Sequence, residues 1–490
     1  MTKNRKKYIT LAIPYVNAKP HIGTAIEMLY GDVLARYYRQ EGYAVQFVSG
    51  TDEHGQKVER TAVEKGMTAQ AYVDNMSASF QELITAWNIS IDDFIRTTQP
   101  RHQETAQALW RKIVESGDVE KGTYEGWYCI GCEAFKTEKE LVDGNCPIHL
   151  KPVQHTQEEN YFFCFSRYQN RLLEWYEAHP DFVVPKAKFR EMKELVKNGL
   201  EDVSISREKE QLSWGIPVPG DDTQVMYVWF EALMNYLSVI DYGRNKETFA
   251  KWWPADIQIV GKDINRFHSV LWPAMLMAAG VSLPCAVGVH GFITVNGQKM
   301  SKSLGNIIDP IELTNQYGVE PVRYFLMREI AFDSDGDFSH HRLQQRYSSE
   351  LANGLGNLLS RVTNMVEKYF DGKLEAIPAI EKFGESQKTA YHEAFAQLAF
   401  HAALDAVWSV VDSANEYIEQ QKPWVLAKSD HQQLQIVLQH LLFCLELIAE
   451  WLVPFMPETA AVITNAIEAE HIDKAEPLFP RLALEEDSKV

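Results

Sequence analysis

The chain has 490 residues, an apolar content of 46% and a formal net charge of −19 at pH 7. This length exceeds that of one ordinary domain and predicts about three to four, and the apolar fraction is ample for large cores. The acidic balance argues against a uniformly basic nucleic-acid binder, but it leaves room for a local basic path. The sequence shows no internal repeat and no low-complexity tract.

The N-terminal segment has the pattern of a βαβ unit. An apolar run over residues 8–15 predicts a buried strand, and residues 24–41 place apolar side chains at helical spacing. Gly42 ends this helix, and residues 44–48 predict a second strand. A strand, a helix and a strand within about 45 residues favour parallel pairing, so we expect an α/β fold with a doubly wound parallel sheet.

The middle of the chain interrupts this alternation. Residues 115–220 hold clustered cysteines and proline–glycine punctuation, which predicts an insertion between two halves of the sheet. The α/β alternation then returns, with a strand at 257–260, and from about residue 342 the chain is helical. Long amphipathic stretches at 351–369, 386–421 and 431–452 predict a C-terminal α-helical bundle. The predicted segments are two halves of a split Rossmann-type domain at 1–114 and 223–327, the insertion at 115–222, a linker region at 328–350 and the helical bundle at 351–490.

One uncharged stretch, residues 269–289, is long enough to span a membrane. Prolines and glycines interrupt it, so we expect a buried helix to about residue 279, a turn over 280–284 and a buried strand from Cys285. The apolar run after the basic N-terminus is too short for a secretory signal. We therefore predict a cytoplasmic protein without a membrane span.

Three of the six cysteines cluster, at Cys129, Cys132 and Cys146. Together with His149 they form two pairs of ligands with two-residue spacers, which is the spacing of a structural zinc site. His155 is a competing ligand, and free thiols or a disulfide are the plain alternative. The remaining cysteines lie in apolar runs and are predicted to be core residues: Cys164, Cys285 and Cys444.

Two short motifs follow predicted strands. Pro20-His21-Ile22-Gly23-Thr24 stands at the predicted start of the first helix, where free N–H groups favour phosphate. Lys299-Met300-Ser301-Lys302-Ser303 follows a predicted strand at 290–295 and an Asn296-Gly297 turn. A histidine alone would be an ordinary polar residue at a helix start, and two lysines alone a solvated turn. In this order, the two motifs predict a site that activates a nucleotide.

The two motifs resemble the HIGH and KMSKS signatures of class I aminoacyl-tRNA synthetases. Residues 13–20 resemble the first motif of the methionyl-tRNA synthetase family, and further similarity lies at 50–55, 202–207, 213–215, 227–236 and 261–268. The resemblance implies a ligase that joins L-methionine to tRNA(Met) through methionyl adenylate, using ATP with Mg²⁺. Thr24 departs from the family histidine and carries no charge, so we expect weaker transition-state stabilisation at this position.

The resemblance also implies roles for individual residues. The catalytic residues would be His21, Thr24, Lys299 and Lys302, and the ATP-binding residues His21, Gly23, Gly261, Asp263 and Lys302. Asp52 would hold the methionine ammonium, and the side-chain slot would be lined by Ile13, Tyr15, Trp229, Ala232, Leu233, Tyr236, Ile264 and His268. Aromatic edges suit the methionine sulfur.

The helical bundle carries a candidate anticodon surface. Asn353, Asn357 and Arg361 are spaced to share one face of an α-helix, and Trp424 can stack on a base. Without the resemblance these would be a polar helix face and a core tryptophan. By resemblance they read the methionine anticodon.

Some expectations and alternatives stay open at this stage. Homocysteine is an expected misfit substrate, because one missing methyl group discriminates by only about 1–3 kcal/mol. We see no separate editing domain and no appended tRNA-binding module, and we expect a monomer. Another class I synthetase, such as a cysteinyl enzyme, and a non-catalytic RNA-binding homologue are the rival hypotheses.

Overall fold

The computed structural model describes residues 5–136, 138–148, 150–300, 305–374 and 384–482, without the side chains of Ala134 and Lys139. The chain divides into two compact units, Met1–His290 and Gly291–Val490.

The N-terminal unit contains strands β1–β13 and helices α1–α10. The strands are, in chain order, Lys6–Leu11, Ala44–Thr51, Asp93–Arg96, Val119–Cys129, Ala134–Lys136, Gln154–Phe163, Val183–Val184, Val203–Ser204, Ser206–Glu208, Pro217–Val218, Asp221–Met226, Ile257–Gly261 and Val287–His290. The helices are Ile22–Gln40, Gln56–Glu64, Ala69–Ala86, Pro100–Glu115, Gln169–Ala178, Lys186–Lys197, Val228–Ala232, Asn235–Ser238, Lys246–Trp252 and Trp272–Ala278. Short 3₁₀ turns lie at Glu138–Glu140 and Phe165–Tyr168, and a π-turn lies at Phe267–Leu271.

A six-stranded sheet in the order β3-β2-β1-β12-β13-β7 forms the centre of this unit. All its neighbouring strands are parallel, and β1 lies beside β12, with Ile9 opposite Ile257. Two halves that are far apart in the sequence therefore share one sheet, which confirms the predicted split doubly wound fold. The edge strand β7 comes from within the predicted insertion, and a two-residue strand has no periodicity that could announce it.

The first βαβ unit agrees with the prediction, with shifted ends. β1 stops at Leu11, and the chain after it pairs with the residue that follows β2 in an isolated parallel bridge between Tyr15 and Asp52. α1 begins directly after His21, and Gly42, at φ +77°, lies just beyond its end. That left-handed backbone is one that glycine adopts without steric cost.

Antiparallel strands fill the predicted insertion. β5-β4-β6-β8 form one sheet and β10-β11-β9 another. β4 and β6 pair over their full length, from Val119 opposite Phe163 to Tyr128 opposite Gln154. The clustered cysteines lie at the far end of this hairpin, where β4 ends at Cys129.

The uncharged stretch folds as a helix, a turn and a strand, as predicted, but the strand begins at Val287. Cys285 lies before that strand and is exposed, so its prediction as a core residue is wrong. Cys164 and Cys444 are buried, as expected. The predicted strand over 290–295 is confirmed only over Ile293–Val295, because β13 ends at His290 and the chain between the two strands is not paired in a sheet.

The C-terminal unit contains strands β14–β16 and helices α11–α19. The strands are Ile293–Val295, Gln298–Lys299 and Gly336–Phe338, and the helices are Pro310–Tyr317, Val319–Glu329, His340–Arg346, Asn357–Phe370, Glu385–Ala396, Phe400–Gln421, Pro423–Ser429, His431–Leu452 and Pro457–Ile467. A π-helical segment, Tyr347–Gly356, precedes α14. The helices confirm the predicted C-terminal bundle, but the predicted stretch 386–421 is two helices, separated where Leu398 has φ +57°.

Helix α18, His431–Leu452, is long and apolar enough to cross a membrane on length and composition alone. Half of its most apolar window is buried, and it packs against α16 and α19. Its apolar residues include Leu434, Leu438, Leu441 and Leu445, which are fully buried in the bundle. A core helix of a folded bundle has these properties.

Candidate active site

His21 is oriented by the start of helix α1. Its Nδ1 accepts a hydrogen bond from the Gly23 N–H at 3.0 Å, and its carbonyl accepts from the Thr24 N–H at 2.8 Å. Because Nδ1 is an acceptor, the ring proton of the neutral imidazole lies on Nε2. Burial lowers the pKa of His21 and so favours this neutral form. The helix start therefore presents an imidazole N–H donor at the positive end of the helix dipole, which is an arrangement suited to binding phosphate.

Asp52 follows strand β2 and is held against the loop that follows β1. Its N–H donates to the Pro14 carbonyl at 3.0 Å, and its carbonyl accepts from the Val16 N–H at 3.1 Å. The carboxylate is buried, and among the described residues no group donates to its Oδ1. Burial, and then the nearby carboxylates of Glu231 and Glu133, raise the pKa of Asp52 well above its usual value. A bound ammonium group would supply both the missing donor and the missing positive charge.

Trp229 and Tyr236 lie on the consecutive short helices α7 and α8. The Trp229 ring stacks on Phe267, with ring centroids 4.6 Å apart and planes 2° apart, and its Nε1 donates to the Cys132 carbonyl at 3.4 Å. The other predicted slot residues are buried or half-buried side chains of the same unit. Leu233 and Tyr236 belong to the main core cluster of this unit, Ile13 and Ile264 pack against it, and Ala232 is buried.

Tyr236 and His268 are joined by a short hydrogen bond. The Tyr236 hydroxyl lies 2.6 Å from His268 Nε2, and His268 Nδ1 lies 3.1 Å from the Ile264 carbonyl oxygen. Since a carbonyl only accepts, Nδ1 carries the ring proton and Nε2 accepts from the tyrosine. Burial lowers the pKa of His268 to about 4, so the imidazole stays neutral. A neutral ring suits the wall of an apolar slot.

Gly261 is the last residue of strand β12, and Asp263 follows it. A Cβ added at Gly261 would lie 2.8 Å from Asp263 Oδ1, so a side chain at this position would displace the carboxylate from its present place. His290 ends the neighbouring strand opposite Gly261, and its Nε2 lies 3.1 Å from Glu27 Oε2 of helix α1. Ligands of open parallel sheets bind at these strand ends. Sequence reasoning missed Glu27 and His290, although Glu27 lies one helical turn after Gly23.

A buried network of two histidines and a glutamate was also missed. Glu231 Oε1 lies 2.9 Å from His54 Nδ1, and Glu231 Oε2 lies 2.7 Å from His102 Nε2. The other ring nitrogen of His102, Nδ1, lies 3.0 Å from the Ser238 hydroxyl oxygen. Although burial disfavours the charge of Glu231, the two histidines outweigh it and lower the pKa. His54 and Glu231 lie in the sequence segments quoted above, whereas a single histidine on helix α4 gives no signal.

The three clustered cysteines come together as a candidate metal centre. The Sγ atoms of Cys129, Cys132 and Cys146 all lie within 4.8 Å of one another, and none forms a disulfide. Burial, and then the neighbouring thiols, raise the pKa of Cys132 to about 12. A metal cation would reverse this, since thiolates are soft ligands, so the donor set fits a metal ion. His155 lies in β6 with its ring against Trp127, and His149 lies outside the described residues.

The lysine motif begins in the C-terminal unit. Asn296 and Gly297 both have positive φ, at +51° and +75°, which confirms the predicted two-residue turn between β14 and β15. Lys299 ends β15, and its carbonyl accepts from Asn306 Nδ2 at 3.2 Å. Lys302 lies outside the described residues.

The candidate anticodon residues lie in the helical part of the same unit. Asn353 and Asn357 are exposed, but Asn353 belongs to the π-helical segment, so the assumed α-helical spacing is wrong there. Arg361 Nη2 donates to Glu419 Oε1 of helix α16 at 2.7 Å. Trp424 is 41% exposed near the start of helix α17, which agrees with a stacking residue and not with a core tryptophan.

Comparisons with known proteins extend over nearly the whole chain. Residues 7–155 and 148–363 match the family described as tRNA synthetases class I (M), and residues 379–483 match the anticodon binding domain of methionyl tRNA ligase. The chain belongs to the methionine-type class I tRNA synthetases.

Individual relatives agree with this assignment. The methionine–tRNA ligase of Thermotoga maritima is 44% identical, over 99% of this chain and 82% of that protein. That of Rickettsia bellii is 45% identical, over 98% of this chain and 96% of that protein. The solved Mycobacterium tuberculosis methionyl-tRNA synthetase in complex with methionyl-adenylate has a TM-score of 0.92 at 38% identity, covering 97% of this chain and 100% of that one.

Membership of the methionine-type synthetases excludes the cysteinyl alternative. It confirms the predicted family and fold class. Both predicted motifs, at residues 20–24 and 299–303, lie within the segments that match the synthetase family. The roles of single residues, including His21, Asp52 and Lys302, stay predictions.

Proposed function

We propose that this methionine-type synthetase activates L-methionine with ATP to methionyl adenylate and transfers the methionyl group to the 3′ end of tRNA(Met). The products are methionyl-tRNA, AMP and pyrophosphate. The observation that carries the proposal is Asp52, a buried carboxylate with one oxygen that receives no donor among the described residues. Asp52 belongs to the same unit as the aromatic side chains of Trp229 and Tyr236 and the helix start at His21.

Activation requires positioning and charge stabilisation. A carboxylate oxygen of methionine attacks the α-phosphorus of ATP, and the bond from that phosphorus to the bridging pyrophosphate oxygen breaks. The Nε2–H of His21 donates to an α-phosphate oxygen as its charge grows, and Thr24 adds an uncharged donor. Lys299 and Lys302 neutralise the departing pyrophosphate. Mg²⁺ that enters with ATP offsets the charge of the phosphates.

The ribose side of ATP would meet Gly261 and Asp263. Gly261 leaves space for the Asp263 carboxylate, which can accept hydrogen bonds from ribose hydroxyl groups. Gly23 allows the nucleotide to approach the start of α1 closely.

Methionine recognition would combine a charge with a soft apolar slot. Asp52 binds the ammonium group, and its charged form is favoured once that cation is present. Trp229 and Tyr236 provide aromatic contacts for the sulfur, worth about 0.3–1.5 kcal/mol each. Homocysteine fits the same slot with one methyl group less, so we expect it to be activated as well.

The cysteine cluster would hold one structural zinc ion. Cys129, Cys132 and Cys146 supply three thiolates, and the sequence spacing makes His149 the proposed fourth ligand. Four protein ligands complete a tetrahedral shell, which leaves no position for substrate.

The helical bundle would read the anticodon of tRNA(Met). Asn353 and Asn357 offer amide groups to base edges, and Trp424 offers an exposed ring for stacking. Arg361 must exchange its bond with the exposed Glu419 for one with RNA. The proposal also includes the division into five segments, a monomeric state and a cytoplasmic location. Light scattering tests the monomeric state, and cell fractionation tests the location.

Pyrophosphate exchange tests the proposed function. Purified protein should exchange labelled pyrophosphate into ATP with methionine, weakly with homocysteine, and not with other amino acids in a panel. Asp52→Asn should raise the KM for methionine, and Lys302→Ala should lower kcat by about a hundredfold or more. Binding of tRNA(Met) without any exchange would support the non-catalytic homologue instead, and unchanged exchange in Lys302→Ala would refute the role of the loop.

A further inference from the structure

Glu133 is an unusual member of the segment from Cys129 to Cys146, which is called the cysteine loop below. It follows the candidate metal ligand Cys132 directly, yet its side chain is buried, with 3% exposure. Its φ is +47°, a left-handed conformation that residues with a Cβ rarely adopt. Such a conformation persists where the surrounding contacts hold the residue in place. The contacts of Glu133 therefore need an explanation beyond the metal site.

The carboxylate of Glu133 accepts hydrogen bonds from three separate parts of the N-terminal unit. Oε1 accepts from the Tyr15 hydroxyl at 3.2 Å and from the Lys57 N–H, in the first turn of α2, at 2.5 Å. Oε2 accepts from the Tyr128 hydroxyl, at the end of β4, at 2.5 Å. A carboxylate can accept all three bonds, whereas an amide offers only one accepting atom.

The backbone carbonyls of Cys132 and Glu133 accept hydrogen bonds from two aromatic side chains at the start of helix α7. The Glu133 carbonyl accepts from the Tyr227 hydroxyl, and the Cys132 carbonyl accepts from Trp229 Nε1 at 3.4 Å. Tyr15 and Trp229, which come from distant parts of the sequence, are thus tied to two consecutive residues of the cysteine loop.

The space around the Tyr15–Glu133 contact is filled. A Cβ added at Gly55 would lie 2.6 Å from the Tyr15 hydroxyl oxygen and 3.2 Å from Glu133 Oε1. The tyrosine hydroxyl therefore has little room to leave Glu133 unless the loop moves with it.

We propose that Glu133 is a positioning residue for methionine, which sets Tyr15 and, through the loop backbone, Trp229 at the width that the methionine side chain requires. This inference rests on the proposed function, because it takes Tyr15 and Trp229 as walls of the methionine slot. It makes the cysteine loop part of the amino-acid site as well as a place for a metal.

The test compares Glu133→Gln with Glu138→Gln. The second variant removes the same charge from an exposed position of the same loop. For each protein, KM is measured separately for methionine and for ATP in pyrophosphate exchange, and zinc content is measured alongside. We expect Glu133→Gln to raise the KM for methionine about tenfold, while the KM for ATP stays within about twofold and the zinc content is unchanged. Glu138→Gln should behave as the parent.

A double-mutant cycle separates positioning from general support. Tyr15→Phe removes only the hydroxyl group that donates to Glu133. The double variant should therefore have a KM for methionine no higher than that of Glu133→Gln alone. Independent effects that multiply would overturn the proposal, as would an unchanged KM for methionine. Equal increases in both KM values, or loss of zinc, would show that Glu133 only supports the fold. If the parent protein itself shows no methionine-dependent exchange, the proposed function fails first, which is a distinct result.

Discussion

Removal of the Tyr236 hydroxyl should weaken methionine binding selectively. Tyr236 is 1% exposed, and its hydroxyl lies 2.6 Å from His268 Nε2. His268 Nδ1 is committed to the Ile264 carbonyl, so Nε2 can only accept. Tyr236→Phe keeps the aromatic ring but leaves this buried nitrogen without its donor.

The magnitude follows from the burial of both groups. A buried acceptor without a donor costs about 1–3 kcal/mol. The free protein can recover part of this cost by turning the imidazole, which would move the ring out of its place in the slot. We therefore expect the KM for methionine to rise by about five- to a hundredfold, with the KM for ATP within about twofold of the parent.

Tyr176→Phe is the matched control. Tyr176 is also fully buried, and its hydroxyl donates to the carbonyl of Ser269, the residue after His268, at 2.6 Å. Both variants should lower the thermal stability, but only Tyr236→Phe should change the KM for methionine in pyrophosphate exchange. Equal kinetic effects in the two variants, or a stability loss without any kinetic effect in Tyr236→Phe, would refute the reasoning.

Three further predictions concern single groups. Gly55→Ala should raise the KM for methionine in pyrophosphate exchange, because φ is +109° and the new Cβ would crowd the Tyr15 hydroxyl; unchanged kinetics would contradict this. Stability should fall between about pH 6.5 and 4, because the unfolded chain protonates His268 near 6.5 while burial lowers its folded pKa to about 4. The free energy of unfolding should fall by about 1.4 kcal/mol per pH unit in this range. The melting temperature of His268→Gln should therefore depend less steeply on pH than that of the parent, and equal slopes would contradict this prediction. Cys146→Ser should abolish zinc binding in elemental analysis, and retained zinc would exclude this thiol as a ligand.

Features that depend on neighbours in the sequence were predictable without the structure. His21 is oriented by Gly23 only two residues away, and the turn at Asn296 and Gly297 depends on the φ angles of those two residues. The cysteine spacing likewise brings thiols together through a short loop. The long helices of the bundle were predictable because their apolar spacing repeats over several turns.

Other features depended on packing between distant segments. A pattern search could not place β7 in the central sheet, because two residues have no period. It could not see that Cys285 precedes its strand and is exposed, or that Leu398 separates two helices. Each of these is decided by which backbone groups find partners elsewhere in the fold.

The sequence by itself indicated the family and the reaction, through the resemblance of its motifs, and the order of the two sheet halves, the insertion and the helical bundle, since motifs and periodicity are local properties of the chain. Only the tertiary structure decided which buried groups meet. Glu133 lies 118 positions from Tyr15, and His102 lies 129 positions from Glu231. Contacts at such separations depend on how whole elements pack against one another, and nothing in the sequence around Glu133 indicates that its carboxylate meets Tyr15, Lys57 and Tyr128.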